Sequence, residues 1–211
     1  MSGERASDGR GTVGSDASEA PDGLDVPDWD DAYFDRVSER LMFNYDLEKD
    51  RSFREERFDL YGELYMENRK QFLHPSINYA NHAVQEHLFV RRQDRIDDAT
   101  LDRLVSLGRD LADEWIEADE EHYGTEFTFV LVVPEVSDDD AERVRGFRDR
   151  TLLKYGYYGH YEINLAVVAP ERETAVGSRN TDIEEAFAVW RPMDDGDDPG
   201  LLRRVVDRLR P

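Results

Sequence analysis

Two apolar segments constrain the fold more than any other feature of this sequence. "TEFTFVLVVPE" is apolar on both faces over Phe127 to Val133, and "YEINLAVVAPE" repeats this character later in the chain. Strands that are apolar on both faces lie in the centre of a sheet. Because a helical segment separates the two, we expect them to be parallel and joined by a right-handed crossover.

The region before these strands predicts an antiparallel meander of three strands. "FDLYGELYM" (Phe58–Met66) alternates apolar and polar residues, and "KQFLHPSINYA" (residues 70–80) predicts a second strand that bends near Pro75. "NHAVQ" (residues 81–85) predicts a turn, and "EHLFVRR" (Glu86–Arg92) predicts the third strand.

Four segments have helical periodicity. A helix is predicted from about Asp31 to Asp46, and a strongly amphipathic one over residues 101–116. Ser137 is expected to cap a third helix that ends near Tyr155. "ETAVGSR" suggests a short edge strand, and Thr181 precedes a last helix. The predicted fold class is α+β: a mixed sheet of an antiparallel meander plus parallel strands joined by helices, with helices packed on the sheet.

Composition divides the chain into four parts. Residues 1–28 have hardly any large apolar side chain and predict a disordered acidic tail. Residues 29–191 are predicted to form a single α+β domain, and residues 192–200 an acidic linker. Residues 201–211 place leucine and valine on one stripe, which predicts a short C-terminal amphipathic helix.

The charge of the chain is strongly negative. Asp and Glu number 49 against 27 Lys and Arg, the formal net charge is −22, and only three residues are lysines. This pattern is typical of a halophilic protein, since carboxylates stay hydrated in concentrated salt and molar salt screens their repulsion within about 3 Å. The alternative is an acidic surface for a basic partner. Both interpretations disfavour nucleic acid as a partner, because phosphate contacts weaken steeply as salt rises.

Cysteine and long apolar runs are both absent from the sequence. The absence of cysteine removes disulfides, thiolate metal sites and cysteine nucleophiles. No apolar segment follows Met1, and no run of eighteen apolar residues occurs. We therefore expect a soluble cytoplasmic protein with no membrane contact.

The stretch "LLKYGYYGHYE" (residues 152–162) concentrates four tyrosines around two glycines. Its position predicts a turn from the third helix into the last central strand, with Gly156 just beyond the helix end. Tyr155 would continue the apolar face of that helix, and Tyr161 that of the strand.

Tyr157, Tyr158 and His160 are left without a structural role by this assignment. They are candidate ligand-binding residues. A G-x-x-G loop also occurs as the RNA clamp of KH domains, but this loop holds two bulky rings and lacks their small, basic character.

The five histidines do not form a ligand pattern; they are His74, His82, His87, His122 and His160. On a strand, His82 and His87 would point to opposite faces. The acidic segment ending in Glu121 and His122 could bind Mg, Mn or Fe, although a hydrated helix face explains it more simply. We predict no metal site and no cofactor, and we keep Glu121 and His122 as candidate ligand-binding residues.

Enzyme motifs are equally sparse. The order of elements also occurs in restriction-type nucleases, which use E-x-K to hold Mg, but Leu88 stands where the lysine would follow Glu86. No G-x-S-x-G, Walker or G-x-G-x-x-G motif is present.

Several segments together resemble a haloarchaeal protein family of unknown function, and similar clostridial proteins: "YFDRVSERLMFNYDLEKD", "FDLYGELYM", "EEHYGTEFTFVLVVPE" and "FRDRTLLKYGYYGHYEINLAVVAPE". The resemblance covers about Asp31 to Trp190. It implies a compact domain of cytosolic archaeal origin and transfers no catalytic residues.

The function predicted from these observations is a non-enzymatic binding or regulatory domain, with an unknown protein or small molecule as its partner. The alternative is a metal-dependent hydrolase or nuclease-like enzyme. That alternative requires Glu121, His122 and a further acid or histidine to converge within ligand distance.

Overall fold

A seven-stranded mixed sheet organises the part of the chain that the computed structural model describes, residues 27–67 and 83–192. The helices are α1 (Ala32–Leu41), α2 (Asp98–Trp115), α3 (Asp138–Gly146) and α4 (Glu184–Phe187). The strands are β1 (Asp46–Phe53), β2 (Glu56–Glu67), β3 (Ala83–Arg92), β4 (His122–Val132), β5 (Asp149–Leu152), β6 (His160–Ala169) and β7 (Thr174–Gly177).

The strand order is β1-β2-β3-β4-β6-β5, and β7 also pairs with β6. β1, β2 and β3 form an antiparallel meander, and β3, β4 and β6 are parallel neighbours. β5 and β7 pair antiparallel with successive parts of β6. The α+β class and the mixed sheet predicted from the sequence are confirmed.

Helices cover both faces of the sheet. Leu104 of α2 and Val144 of α3 belong to the apolar core on one face. Val37 of α1 and Phe187 of α4 belong to the core on the other face. The two long apolar strands β4 and β6 lie between these layers, which explains why they are apolar on both sides.

The first predicted helix is shorter than expected. α1 ends at Leu41, and Asp46 begins β1 instead of ending the helix. Apart from Leu47 and Phe53, the side chains of β1 are exposed or half-buried, so its own pattern hardly alternates. Pairing with β2 makes this segment a strand, and a sequence window does not contain that partner.

The second half of the meander also differs from the prediction. β3 starts at Ala83, so the end of the predicted turn "NHAVQ" is strand, and β3 pairs directly with β2. The strand predicted over residues 70–80 lies outside the described residues. The same holds for almost all of the predicted acidic tail and linker, and for the C-terminal helix, because the described ranges begin at residue 27 and end at residue 192.

The other helices follow the sequence more closely. α2 buries the predicted stripe that includes Leu104 and Leu111. The Ser137 hydroxyl accepts a hydrogen bond from the Asp140 amide at 3.1 Å, which confirms the predicted cap of α3. α4 is a single turn, and Thr181 Oγ1 accepts from the Ile183 amide just before it.

His87 of β3 gives the domain a predictable response to acid. Burial lowers the pKa of His87 to about 4, and the ring lies between Trp115 and Phe127. The folded protein therefore keeps His87 neutral at pH values where the unfolded chain takes up a proton. This contribution to stability is complete above the unfolded pKa of about 6.5 and is lost as the pH falls towards 4.

We expect His87→Asn to flatten the pH dependence of the unfolding free energy. Asparagine places an amide atom near the position of Nδ1, 2.8 Å from the Tyr61 hydroxyl, but it loses the ring contacts with Trp115 and Phe127, so the variant should be less stable at pH 7. Between pH 7 and 4.5 the wild type should then lose about 2–3 kcal/mol more than the variant. Urea titrations at fixed salt would measure this, and parallel pH curves for the two proteins would contradict it.

Candidate functional site

The tyrosine-rich stretch is the loop of a β-hairpin and not a helix-to-strand turn. α3 ends at Gly146, and residues 149–152 form β5, which pairs with β6 through Leu152 and His160. The prediction that the third helix reaches Tyr155 was therefore wrong. The side chains of β5 alternate between half-buried and exposed, but a strand of four residues is too short for this alternation to outweigh the helical pattern before it.

The hairpin loop, residues 153–159, has an unusual backbone. Lys154 and Tyr155 have φ values of 46° and 60°, in the left-handed region, and Gly156 follows at 90°. A left-handed conformation costs about 1–2 kcal/mol for a residue with a Cβ. Such conformations persist only where surrounding contacts hold them, and they cluster at functional sites.

Large apolar side chains in and beside this loop are exposed to solvent. Tyr155 is 97% exposed, Tyr157 is 86% exposed, and Leu152 at the start of the loop is 58% exposed. Tyr155 had been predicted to lie on an apolar helix face. Its exposure follows from the hairpin, which turns residue 155 away from the sheet.

His122 anchors the loop to the start of β4. Its Nδ1 lies 2.7 Å from the carbonyl oxygen of Tyr158, and its Nε2 lies 2.9 Å from Thr125 Oγ1. Because a carbonyl oxygen only accepts, Nδ1 carries the hydrogen, and in the neutral ring Nε2 accepts from the threonine hydroxyl. Nδ1 of His122 thus holds the hairpin loop, while the bond between Nε2 and Thr125 fixes the ring against β4.

Gly159 closes the loop against the same strand. It has φ +73°, and a Cβ at this position would lie 2.0 Å from the carbonyl oxygen of Tyr123. Only glycine allows this approach of two backbones. Tyr158, between this contact and the exposed tip, is half-buried.

His160 is buried beneath the loop at the first position of β6. Burial lowers its pKa to about 4, with Arg150 and His122 adding smaller effects in the same direction. Arg150 Nη2 lies 3.3 Å from Nδ1 of the ring, and this nitrogen must accept because a guanidinium only donates. The second arm of Arg150 forms an ion pair with Glu162, with Nη1 3.1 Å from Oε1.

Glu162 ends a row of three buried glutamates that sequence reasoning missed. Glu86 of β3 is in register with Glu126 of β4, which is in register with Glu162 of β6. All three side chains are at most 7% exposed. Because neighbouring strands are about 4.8 Å apart, three carboxylates lie side by side on one face of the sheet.

Each glutamate of this row has a neutral hydrogen-bond donor. Thr128 Oγ1 donates to Glu86 at 3.4 Å, Asn164 Nδ2 to Glu126 at 3.1 Å, and Asn180 Nδ2 to Glu162 at 2.9 Å. Tyr45 also hydrogen-bonds Glu86, and its pKa is raised well above the usual value, first by burial and then by the charge of that carboxylate.

A signal for this row is present in the sequence. "EHLFV", "EFTFV" and "EINLA" each place one glutamate immediately before the apolar part of a central strand. Each motif by itself indicates only a polar residue at the start of an apolar strand. The line becomes visible only when the strands are paired in their register.

Residues 30–189 match a family described as Domain of unknown function (DUF8052). The chain belongs to this family. No curated protein and no solved structure matches the chain. Over the two ranges that the structure describes, no helix has both the length and the apolar character needed to cross a membrane.

The described part of the DUF8052 domain brings no third acid or histidine together with Glu121 and His122 in a metal site. Within residues 27–67 and 83–192, no group of three or more acids and histidines is placed to hold a metal ion. Glu121 is exposed, and its amide donates to Asp119 Oδ1 at 2.9 Å, while His122 turns to the hairpin loop. Glu86, Glu126 and Glu162 have the donors described above, Thr128, Asn164 and Asn180.

Proposed function

We propose that this DUF8052 domain is a non-enzymatic binding module that recognises a protein partner through the β5–β6 hairpin loop. The observation that carries the proposal is the near-complete exposure of Tyr155 and Tyr157. They lie on a loop in which residues 154–156 have positive φ values. Clustered exposed apolar groups mark interaction sites, whereas single ones are ordinary, and Leu152, Tyr155 and Tyr157 are all exposed within six residues. Tyrosine is suited to this role because it offers a large contact area at a small entropic cost.

A protein partner fits this surface better than a small molecule. Small-molecule sites are concave and bury most of the ligand. Side chains that are 97% and 86% exposed line no such cavity, whereas a partner surface can enclose them. In this proposal Tyr155 and Tyr157 insert into the partner.

The other candidate residues act behind this contact surface. Tyr158 offers its carbonyl oxygen to His122, and His160 lies beneath the loop beside Arg150. We assign His122, Tyr158 and His160 to positioning Tyr155 and Tyr157. Glu121 is exposed immediately before His122, and its contact with the partner stays a prediction.

We propose that the domain works in concentrated salt solution. The net charge of −22 and the scarcity of lysine support this. Several surface ion pairs, such as Arg54–Glu114 with both side chains more than half exposed, would be screened there. Haloarchaeal origin and cytoplasmic location stay predictions from composition and resemblance.

The test is a peptide selection on the full chain in molar KCl. Peptides from a displayed random library would be selected on the wild type, and the affinity of the tightest would be measured by fluorescence polarisation. Tyr155→Ala/Tyr157→Ala should weaken binding by at least about tenfold, because aromatic anchors dominate interfaces. Phe43→Ala is the matched control, since Phe43 is 65% exposed outside the loop. Equal binding by wild type and double variant would refute the proposal.

A further inference from the structure

β5 is a sheet edge, and among the described strands none pairs with its outer side. It pairs with β6 and ends the row of described strands. Its four residues are followed directly by the exposed tyrosines of the hairpin loop. A strand at a sheet edge presents backbone donors and acceptors to any segment that can pair with them.

The hydrogen bond that closes the hairpin shows which residues of β5 present these groups. The Leu153 amide donates to the Gly159 carbonyl oxygen at 3.0 Å, so residues 153 and 159 form a hydrogen-bonded pair. Such pairs alternate along antiparallel strands. Thr151 and Asp149 therefore bond to β6, while the N–H and C=O groups of Arg150 and Leu152 point to the open side.

The opposite edge of the sheet is protected against pairing. β1 reads "DLEKDRSF", with five charged residues in eight. Asp50 has φ 55° and is left out of the pairing with β2, although the register is the same on both sides of it. Charged side chains and local irregularity are devices that keep an edge from pairing with other chains. β5 contains no residue with a positive φ, and its two charged residues are Asp149 and Arg150.

The charge around β5 contrasts with that of the whole chain. Residues 143–154 contain five basic residues and one acid, Asp149, in a chain where acids outnumber bases by 49 to 27. Asp149 is paired with Arg109, at 2.5 Å. Arg148 and Lys154 are exposed at the two ends of β5. An acidic segment is the complementary partner of such an edge.

We propose that β5 binds an extended acidic segment of a partner protein as an additional strand. Arg150 and Leu152 would each supply one backbone donor and one acceptor, and the exposed tyrosines would cover apolar side chains of the segment. This is the strand-addition mode of peptide recognition. The inference rests on the proposed function, because it names the partner of the same loop and the way it binds.

The outward backbone groups of β5 favour a peptide over single-stranded nucleic acid. Exposed aromatics beside basic residues are also found in nucleic-acid sites. However, single-stranded nucleic acid has no backbone amides that could pair with the edge of β5, whereas a peptide in strand geometry does. A deoxythymidine 20-mer therefore serves as the competing probe.

The experiment uses the full chain and the tightest selected peptide, made in two N-methylated forms that block alternate amides. One form should bind at least about tenfold more weakly and the other nearly as well as the parent, since one row of amides faces β5. The Arg150 and Leu152 amides should exchange more slowly by at least about tenfold in the complex. In about 0.1 M KCl, where exposed charges still interact over about 10 Å, Arg148→Glu/Lys154→Glu should weaken binding, whereas Arg172→Glu, exposed in the turn after β6, should not.

Equal binding of the two methylated forms, or unchanged exchange at both amides, would overturn strand addition. Slow exchange of these amides already in the free full chain would also overturn it, because the edge would then be covered. Tighter binding of the deoxythymidine 20-mer in competition with the peptide would assign the surface to nucleic acid. If the double tyrosine variant still loses peptide binding when strand addition fails, the proposed function stands without it.

Discussion

Gly159→Ala should destabilise the domain by about 4 kcal/mol, one of the largest effects expected for a single methyl group. The added Cβ would lie 2.0 Å from the Tyr123 carbonyl oxygen, and the residue has φ +73°. Backbone, not a movable side chain, occupies the space, so the loop or the start of β4 must shift. The shift would also disturb the bond between His122 and Tyr158, 2.7 Å long.

Gly156→Ala is the matched control in the same loop. Gly156 also has a positive φ, of 90°, but no atom lies within 4 Å of its added Cβ. Only the cost of a positive φ for a residue with a Cβ remains, so the variant should lose about 1–2 kcal/mol of unfolding free energy. Chemical denaturation of both variants at fixed KCl measures the difference. Equal losses would show that the close contact with Tyr123 does not hold the loop.

Arg150→Met should destabilise the domain by about 2–3 kcal/mol, because it leaves the buried carboxylate of Glu162 without its cation. Arg150 Nη1 lies 3.1 Å from Glu162 Oε1, and the exposed fractions of the two side chains are 38% and 7%. Methionine keeps much of the apolar stem, so the loss reports on the charge. The expected loss of stability is at the low end for a buried ion pair, because the guanidinium of Arg150 is partly solvated.

A double-mutant cycle separates the energy of the Arg150–Glu162 ion pair from the energy of packing the Arg150 side chain. Arg150→Met/Glu162→Gln should be more stable than Arg150→Met alone, because the double variant no longer buries an unpaired charge. Arg57→Met, which breaks an exposed pair with Asp50, should leave the free energy of unfolding nearly unchanged. Additive effects of the two substitutions would mean that Arg150 and Glu162 do not depend on each other.

The hairpin loop was predicted in position but not in architecture. The glycines located a turn before β6, and the tyrosines marked it as a candidate site. The helix predicted up to Tyr155 ends at Gly146, because pairing with β6 stabilises β5 more than a further helical turn would. The exposure of Tyr155 follows from that pairing and is absent from any local pattern.

Local periodicity by itself determined the core of this protein. Phe127–Val133 and the segment around Leu165 are apolar on both faces, and α2 keeps a helical stripe, so the central strands and their crossover could be predicted. Only the tertiary structure decided β1, β5, the row of Glu86, Glu126 and Glu162, and the open edge beside the tyrosines. The physical reason is that periodicity reports which side of a segment is buried, whereas pairing, register and edges depend on segments far away in the chain.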